Sequence, residues 1–133
     1  MPASLSRAQL DDLSTKVLDV AFAIHKKYGP GLLESVYVRL LTFLLRRRGL
    51  KVEVEVPVHL KWEDEDLGVA FRADIIVEDD LVLEVKAADG DSRLFAKQLL
   101  TYLRLLDKPL GYVLNFNHVL MNDGIERVVT NLR

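Results

Sequence analysis

Three ionisable residues interrupt two neighbouring apolar runs of the chain. Asp74 lies in residues 71–77 (FRADIIV), and Glu84 and Lys86 lie in residues 81–87 (LVLEVKA). Charged side chains inside buried strands cost several kcal/mol each unless they are paired or bind a metal. Two carboxylates suit Mg²⁺ or Mn²⁺, and an ammonium group beside them could orient an attacking water or stabilise developing negative charge. These residue types therefore predict metal-dependent hydrolysis of a phosphodiester.

The spacing of the three residues decides whether they can meet. Residues two apart in a strand share a face, so Glu84 and Lys86 point the same way. Residues 78–80 (EDD) predict a hairpin turn, and a turn of three residues places Asp74 opposite Glu84, with Cβ atoms roughly 4.5–5.5 Å apart. The corresponding register joins three pairs: Val77 with Leu81, Ile76 with Val82, and Ile75 with Leu83. A turn of two residues would put the carboxylates on opposite faces of the sheet.

A structural ion pair is the alternative interpretation of these charges. Asp74 or Glu84 could pair with Lys86, in the way that such residues often do on exposed strand faces. However, residues 75–77 and 81–83 beside them are apolar, which argues against an ion pair on a solvent-exposed strand face. The residues alone therefore favour chemistry over a purely structural role.

Helical periodicity predicts two helices before these strands and one after them. The first covers residues 6–27, and a Gly-Pro break at residues 28–31 separates it from a second helix that ends near Gly49. The third covers residues 92–106. The apolar positions are Leu10, Leu13, Val17, Val20 and Ile24 in the first helix, Leu33, Val36, Tyr37, Leu40, Leu41 and Leu44 in the second, and Leu94, Leu99, Leu103 and Leu106 in the third.

Further strands are predicted on both sides of the charged pair of strands. Apolar and polar residues alternate over residues 51–60, which indicates a half-exposed strand, and Pro57 suggests that one side of it lacks a ladder partner. An acidic turn at residues 62–66 then leads into the strand that holds Asp74. Two short strands are predicted near the end, at residues 110–116 and 125–130. The order α-α-β-β-β-α-β-β predicts an α/β fold, a mixed β-sheet flanked by helices.

The composition limits the classes of protein to consider. The length of 133 residues fits one domain over residues 1–133, and the net charge of −2 means that nucleic-acid binding would need a local basic patch. The chain has no cysteine, which excludes disulfides, thiolate catalysis and cysteine-based zinc sites. No apolar run approaches the roughly 18 residues that span a bilayer, and the first residues lack the apolar core of a signal peptide. We therefore expect a cytoplasmic protein without a membrane partner.

The densest basic cluster is Arg46-Arg47-Arg48, near the end of the second predicted helix. Such a cluster could contact a phosphate backbone. It could equally be a solvated helix C-terminus, where cations complement the helix dipole. The two interpretations are compatible.

Two motifs resemble the PD-(D/E)XK nuclease superfamily. Asp74 followed by residues 84–86 (EVK) resembles its catalytic motif, and residues 31–37 (GLLESVY) look like the signature of the GxxExxY family, which is usually assigned to that superfamily. Further similarity lies at residues 24–25, 72–74, 98–103 and 115–117, so that the resemblance covers about residues 10–130. It implies a restriction-endonuclease-like core.

The resemblance implies roles for the charged residues. Asp74, Glu84 and Lys86 would form the catalytic set, with the two carboxylates holding Mg²⁺ or Mn²⁺ and the Val85 carbonyl as a possible further ligand. Glu34 matches a helix glutamate that often joins the metal site. Its alternative role is that of a first-turn glutamate favoured by the helix dipole.

The third predicted helix carries further candidates and one departure from the family. By similarity to related nucleases, Gln98 and Tyr102, one turn apart, could contact the phosphate or hold the active-site lysine. The alternative for Tyr102 is core packing with a satisfied hydroxyl. Many family members have a His-Glu pair where this chain has Phe95-Ala96. This departure favours the catalytically inactive alternative.

Two functions of different classes follow. The first is a metal-dependent nuclease acting on DNA rather than RNA, with the phosphate backbone held by Arg46, Arg47 and Arg48 or by Arg93 and Lys97. The second is a catalytically inactive nuclease-fold module that binds nucleic acid or a protein partner. The chain has no separate target-reading module, so that sequence specificity would come from a homodimer or a partner protein.

Overall fold

A computed structural model describes residues 4–130, in which helices and strands follow one another in the predicted order. The elements are α1 (Arg7–Tyr28), α2 (Glu34–Arg47), β1 (Val52–Trp62), β2 (Glu65–Val77), β3 (Leu81–Lys86), α3 (Ser92–Leu106), β4 (Leu110–Asn115), a short 3₁₀-helix (Met121–Gly124) and β5 (Ile125–Val129). The order confirms the prediction. The predicted domain also includes residues 1–3 and 131–133, which lie outside the described residues. None of the described helices has the length and apolarity that crossing a membrane requires.

The strands form one mixed sheet in the order β1-β2-β3-β4-β5. β1 to β3 are antiparallel neighbours, β3 and β4 run parallel, and β5 is antiparallel to β4. A parallel pair needs a crossover connection, which α3 supplies between β3 and β4. β1 lies at an edge of the sheet, as Pro57 predicts, because proline has no N–H to donate to a second neighbour.

Helices cover both faces of the sheet, and buried apolar side chains hold each helical layer against it. α1 and α2 pack on one face, where the buried side chains include all five predicted positions of α1 and, in α2, Tyr37, Leu41 and Leu45. α3 packs on the other face through Leu99 and Leu103. Each fully buried side chain of this size contributes about 1.5–3 kcal/mol to stability. The central strand β3 is therefore enclosed on both sides.

The hairpin between β2 and β3 has the predicted three-residue turn. Val77 pairs with Leu81, Ile76 with Val82 and Ile75 with Leu83. Glu78 and Asp79 in the turn have φ angles of 50° and 61°, a conformation that acidic turn residues tolerate better than β-branched ones. The register on which the candidate site depends is thus confirmed.

The hairpin between β1 and β2 is longer than predicted. Trp62 pairs with Glu65, so the acidic turn is reduced to two residues and Asp66 belongs to β2. Every residue from 59 to 70 is exposed, because this outer part of the hairpin has no helix packed on it. The prediction that Leu60 lies on a buried face is therefore wrong, since 45% of it is exposed. The same prediction is wrong for Val54, which lies before this stretch and is 42% exposed.

Two predicted core positions of the helices are also exposed. Leu33 is the cap residue before α2 and not part of its apolar stripe, so that 72% of it is exposed. In α3 the packed stripe runs through Phe95, Leu99 and Leu103, four residues apart, which turns Leu94 toward solvent. α2 ends at Arg47, slightly before the predicted Gly49.

Candidate active site

One hydrogen bond joins Asp74 to Glu84 at the point where the β2–β3 pairing ends, and a second joins Asp74 to the next residue of β3, Val85. The backbone N–H of Asp74 donates to Glu84 Oε1 at 3.2 Å. The backbone N–H of Val85 donates to Asp74 Oδ2 at 2.8 Å. Each carboxylate thus replaces a missing ladder acceptor on the other strand, and the bonds fix both side chains. Asp74 and Glu84 therefore lie side by side, as predicted. Hydrogen bonds from the backbone to their side chains, and not backbone pairing of the two residues, hold them there.

Burial makes this pair of carboxylates electrostatically costly. Only 6% of Glu84 is exposed, and burial, followed by the charge of Asp74, raises its pKa to about 8. The pKa of Asp74 is also raised, first by burial and then by the charge of Glu34, although the hydrogen bond from Val85 opposes the rise. In the absence of a cation, the pair therefore holds a proton at neutral pH. A divalent cation at this position would relieve the same repulsion.

Lys86 shares a strand face with Glu84 and lies close to an aromatic ring. Leu83 and Val85 pack against the α1–α2 layer, so Glu84 and Lys86 face α3. The charge of Lys86 lowers the pKa of both carboxyl groups. Among the ion pairs of the described residues, none joins Lys86 to Asp74 or Glu84. The described residues therefore do not contain the alternative, a structural salt bridge between Lys86 and one of the two carboxylates.

Phe95 accounts for the position of the lysine. The Lys86 Nζ lies 5.1 Å from the centroid of the Phe95 ring, within the range of a cation–π contact. The ring also occupies the space beside Gly90, where an added Cβ would lie 2.7 Å from Phe95 Cζ. The residue that departs from the family pattern thus contacts the candidate catalytic lysine. Sequence reasoning missed this contact because the two residues are joined only through the packing of α3 on β3.

Glu34 lies near the carboxylate pair at the start of α2. It borders a recess with Ala87, the residue after Lys86, and its charge raises the pKa of both Asp74 and Glu84. The start of α2 is set by a buried tyrosine, since the Tyr37 hydroxyl donates to the Gly29 carbonyl at 2.6 Å. The same hydroxyl accepts a hydrogen bond from the Leu32 N–H at 3.2 Å. These two bonds hold the loop before α2 against Tyr37 and so fix where the helix that carries Glu34 begins.

Tyr102 combines packing with proximity to the site. Its ring stacks on Phe71 at 3.9 Å between centroids, as the packing interpretation predicts. Its pKa is raised by burial and by the charges of Glu84 and Asp74, so the hydroxyl lies within the field of the carboxylates. Gln98 is one turn earlier on α3 and is exposed.

The predicted phosphate-binding residues fall on two sides of the site. Arg46 and Arg47 line a groove along α2, whereas Arg48 is the C-cap residue of that helix. Arg93 and Lys97 are exposed on α3, where Arg93 lies beside the cap residue Asp91. The five cations therefore do not form one patch.

A groove of about 1160 Å³ extends from the site between α2 and β1, and we call it the α2 groove. Its lining includes Glu34, Arg39, Phe43, Val54, Glu55 and Asp74. Glu55 has a φ of 50°, unusual for a strand residue, and its charge also raises the pKa of Asp74. The sequence offered no signal for Glu55, because the alternating pattern of β1 predicts an ordinary exposed position.

The residues at the site fit a divalent cation. Within residues 4–130, no group of three or more His, Asp and Glu side chains forms a ready ligand set. Mg²⁺ commonly takes only one or two carboxylates and retains several waters, which two acidic residues satisfy. The N–H and C=O of a strand residue point to the same edge, so the Val85 carbonyl faces the gap that Asp74 enters.

Comparison with known proteins agrees with this geometry. A family model described as the PD-(D/E)XK nuclease superfamily matches residues 11–128, which include all the candidate site residues. Neither the curated proteins nor the solved structures contain a match to the chain.

Proposed function

The chain belongs to the PD-(D/E)XK nuclease superfamily, and from this premise we propose that it is a metal-dependent nuclease that hydrolyses phosphodiester bonds in DNA. Asp74, Glu84 and Lys86 are its catalytic set in this proposal. The observation that carries it is the bonding of β2 to β3 through two carboxylates, Glu84 buried and Asp74 partly buried, beside an ammonium group with which neither forms an ion pair. A buried acidic pair is costly to a fold that does not use it.

The metal in this proposal is Mg²⁺ or Mn²⁺, held by Asp74, Glu84 and the Val85 carbonyl. Such an ion, when bound, polarises a phosphoryl oxygen and lowers the pKa of water. The raised pKa of Glu84 supports a cation requirement, because ionising both carboxylates at this position needs a compensating positive charge.

The side chains of the protein itself would orient the substrate and stabilise charge. Lys86, directed by Phe95, would donate hydrogen bonds to the attacking water or to the phosphoryl oxygen on which negative charge develops. Glu34 would help to position that water. The Tyr102 hydroxyl and the Gln98 amide would hydrogen-bond the phosphate or hold Lys86.

The remaining parts of the proposal concern family and recognition. The arrangement around Tyr37 supports membership of the GxxExxY family, because it explains residues 31–37 as one unit. Arg46, Arg47 and Arg48 on α2, with Arg93 and Lys97 on α3, would contact phosphates of the substrate backbone. A homodimer or a protein partner would supply sequence specificity.

A catalytically inactive module that binds nucleic acid or a protein is the second candidate. The sequence favours it at one point: Phe95 and Ala96 stand where many members of the GxxExxY family, which the chain resembles, have a His-Glu pair. In this candidate the fold is retained without catalysis, and Glu84 keeps its proton at neutral pH.

Incubation of the purified protein with plasmid DNA and Mg²⁺ or Mn²⁺ tests the proposal. We expect metal-dependent nicking or linearisation that Glu84→Ala and Lys86→Ala each abolish. Cleavage that survives both substitutions would show that the site is assigned wrongly. No cleavage by the folded wild-type protein, with either metal, would favour the inactive module.

A further inference from the structure

We infer that the α2 groove binds a segment of single-stranded nucleic acid and leads it to the carboxylate site, so that unpaired strands are the preferred substrate. The inference rests on the proposed function for the meaning of that site. The binding itself depends only on the groove. Its experiment can therefore fail separately from the test of catalysis.

The groove is continuous with the candidate site and is large. Glu34 and Asp74 form part of its lining, so a chain lying in the groove would reach Asp74, one member of the carboxylate pair. Its volume of about 1160 Å³ exceeds the roughly 300–1,000 Å³ of typical small-molecule pockets. The groove can therefore hold more than one nucleotide-sized group.

The apolar lining is what distinguishes an unpaired strand from a duplex. Leu33, Phe43 and Val54 all line the groove, with exposed fractions of 72%, 59% and 42%. A duplex presents phosphates, sugars and base edges to a protein, because its base faces are stacked inside. Only an unpaired strand offers base faces that can cover such a surface, and exposed aromatic rings are the usual stacking partners.

Basic side chains in the same groove match the backbone of such a strand. Arg39, Arg46 and Arg47 line it from α2. The Arg47 guanidinium lies 5.3 Å from the centroid of the Phe43 ring, which brings a cation next to the exposed aromatic. Arg46 Nη2 donates to the Val52 carbonyl at 2.8 Å, which holds this side chain against β1. Cations beside an aromatic platform are the combination found in grooves that track single strands.

Fluorescence anisotropy with a labelled oligothymidylate of about 12 nucleotides, in EDTA to prevent cleavage, tests the inference. A duplex and an oligouridylate of the same length are measured in parallel; the latter decides between DNA and RNA. We expect the wild-type protein to bind the single strand roughly 10-fold more tightly than the duplex, and Phe43→Ala to remove most of that preference. Phe43→Trp keeps an aromatic face and should retain it.

Phe22→Ala is the matched control, because Phe22 is an exposed phenylalanine on α1, outside the groove. Equal effects of Phe43→Ala and Phe22→Ala, or duplex binding as tight as single-strand binding, would overturn the inference. So would self-association that Phe43→Ala abolishes in a protein that binds neither oligonucleotide, since the groove would then receive a second copy of the chain.

Cleavage assays separate this inference from the proposed function. Retained single-strand binding without any metal-dependent cleavage would support the groove and contradict the nuclease. Equal cleavage of duplex and single strand, unchanged in Phe43→Ala, would support the nuclease and contradict the groove.

Discussion

The backbone N–H of Asp74 donates to the carboxylate of Glu84 at 3.2 Å, across two strands that no longer pair at that point. This bond brings the partly buried Asp74 next to the buried Glu84. Because a hydrogen bond from Val85 holds Asp74 in return, the pair cannot separate without loss of backbone bonding. The structure therefore holds two acidic groups close together, and a bound cation would allow both to ionise without repulsion.

Stability of the metal-free protein should fall as the pH rises between about 4.5 and 8. The Glu84 pKa is raised from 4.5 to about 8 in the folded state, so in this interval the folded protein retains a proton that the unfolded chain has released. Proton loss then favours unfolding, by up to a few kcal/mol. Urea denaturation in EDTA at several pH values measures the effect.

Glu84→Gln should flatten this pH dependence, because the amide keeps the shape of the neutral acid and cannot ionise. Glu65→Gln, at an exposed position of the outer hairpin, serves as the control and should follow the wild-type protein. An unchanged slope in Glu84→Gln would mean that another group causes the dependence.

Mg²⁺ or Mn²⁺ should stabilise the folded protein through the two carboxylates. A ligand that binds only the folded state, at about 100 times its Kd, adds about 2.7 kcal/mol to the free energy of unfolding. Asp74→Asn should abolish most of this gain, whereas Asp64→Asn in the exposed turn should keep it. Thermal denaturation with and without metal measures both, and equal shifts in the two variants would contradict the metal assignment.

Phe95→Leu should lower the cleavage rate about 2- to 10-fold with little change in stability. The substitution keeps an apolar side chain of similar size but removes the ring face beside Lys86, and a cation–π contact of this kind is worth about 0.5–1.5 kcal/mol. Single-turnover rates and denaturation curves are compared with those of Leu94→Ala, an exposed neighbour on α3. Full activity in Phe95→Leu would show that the Phe95 ring serves packing only and does not position Lys86.

The order of elements and the β2–β3 register could be predicted because both depend on local information. Apolar periodicity separates helices from strands, and counting three turn residues between Val77 and Leu81 fixes which side chains oppose each other. The pairing of Asp74 with Glu84 follows from that count. The sequence did not indicate that the strands separate there and that side chains complete the bonding.

The contacts around the site could not be predicted, because they join residues from different elements. Whether Phe95 reaches Lys86 depends on how α3 packs on β3, and whether Glu55 approaches Asp74 depends on an unusual backbone angle. The exposure of Phe43 depends on the space left between α2 and β1. For Val54 and Leu60, alternation predicted burial, and only the complete fold reveals that no helix covers them.

The central claim is that Lys86 acts beside the acidic pair in metal-dependent phosphodiester hydrolysis. Its most direct test is the single-turnover cleavage rate of an end-labelled oligonucleotide in Mg²⁺ for Lys86→Met, with Lys61→Met on the exposed hairpin as the matched control. We predict a loss of about 100- to 1000-fold for Lys86→Met, the usual effect of removing a group that stabilises transition-state charge, and a wild-type rate for Lys61→Met. Equal rates in the two variants would contradict the claim.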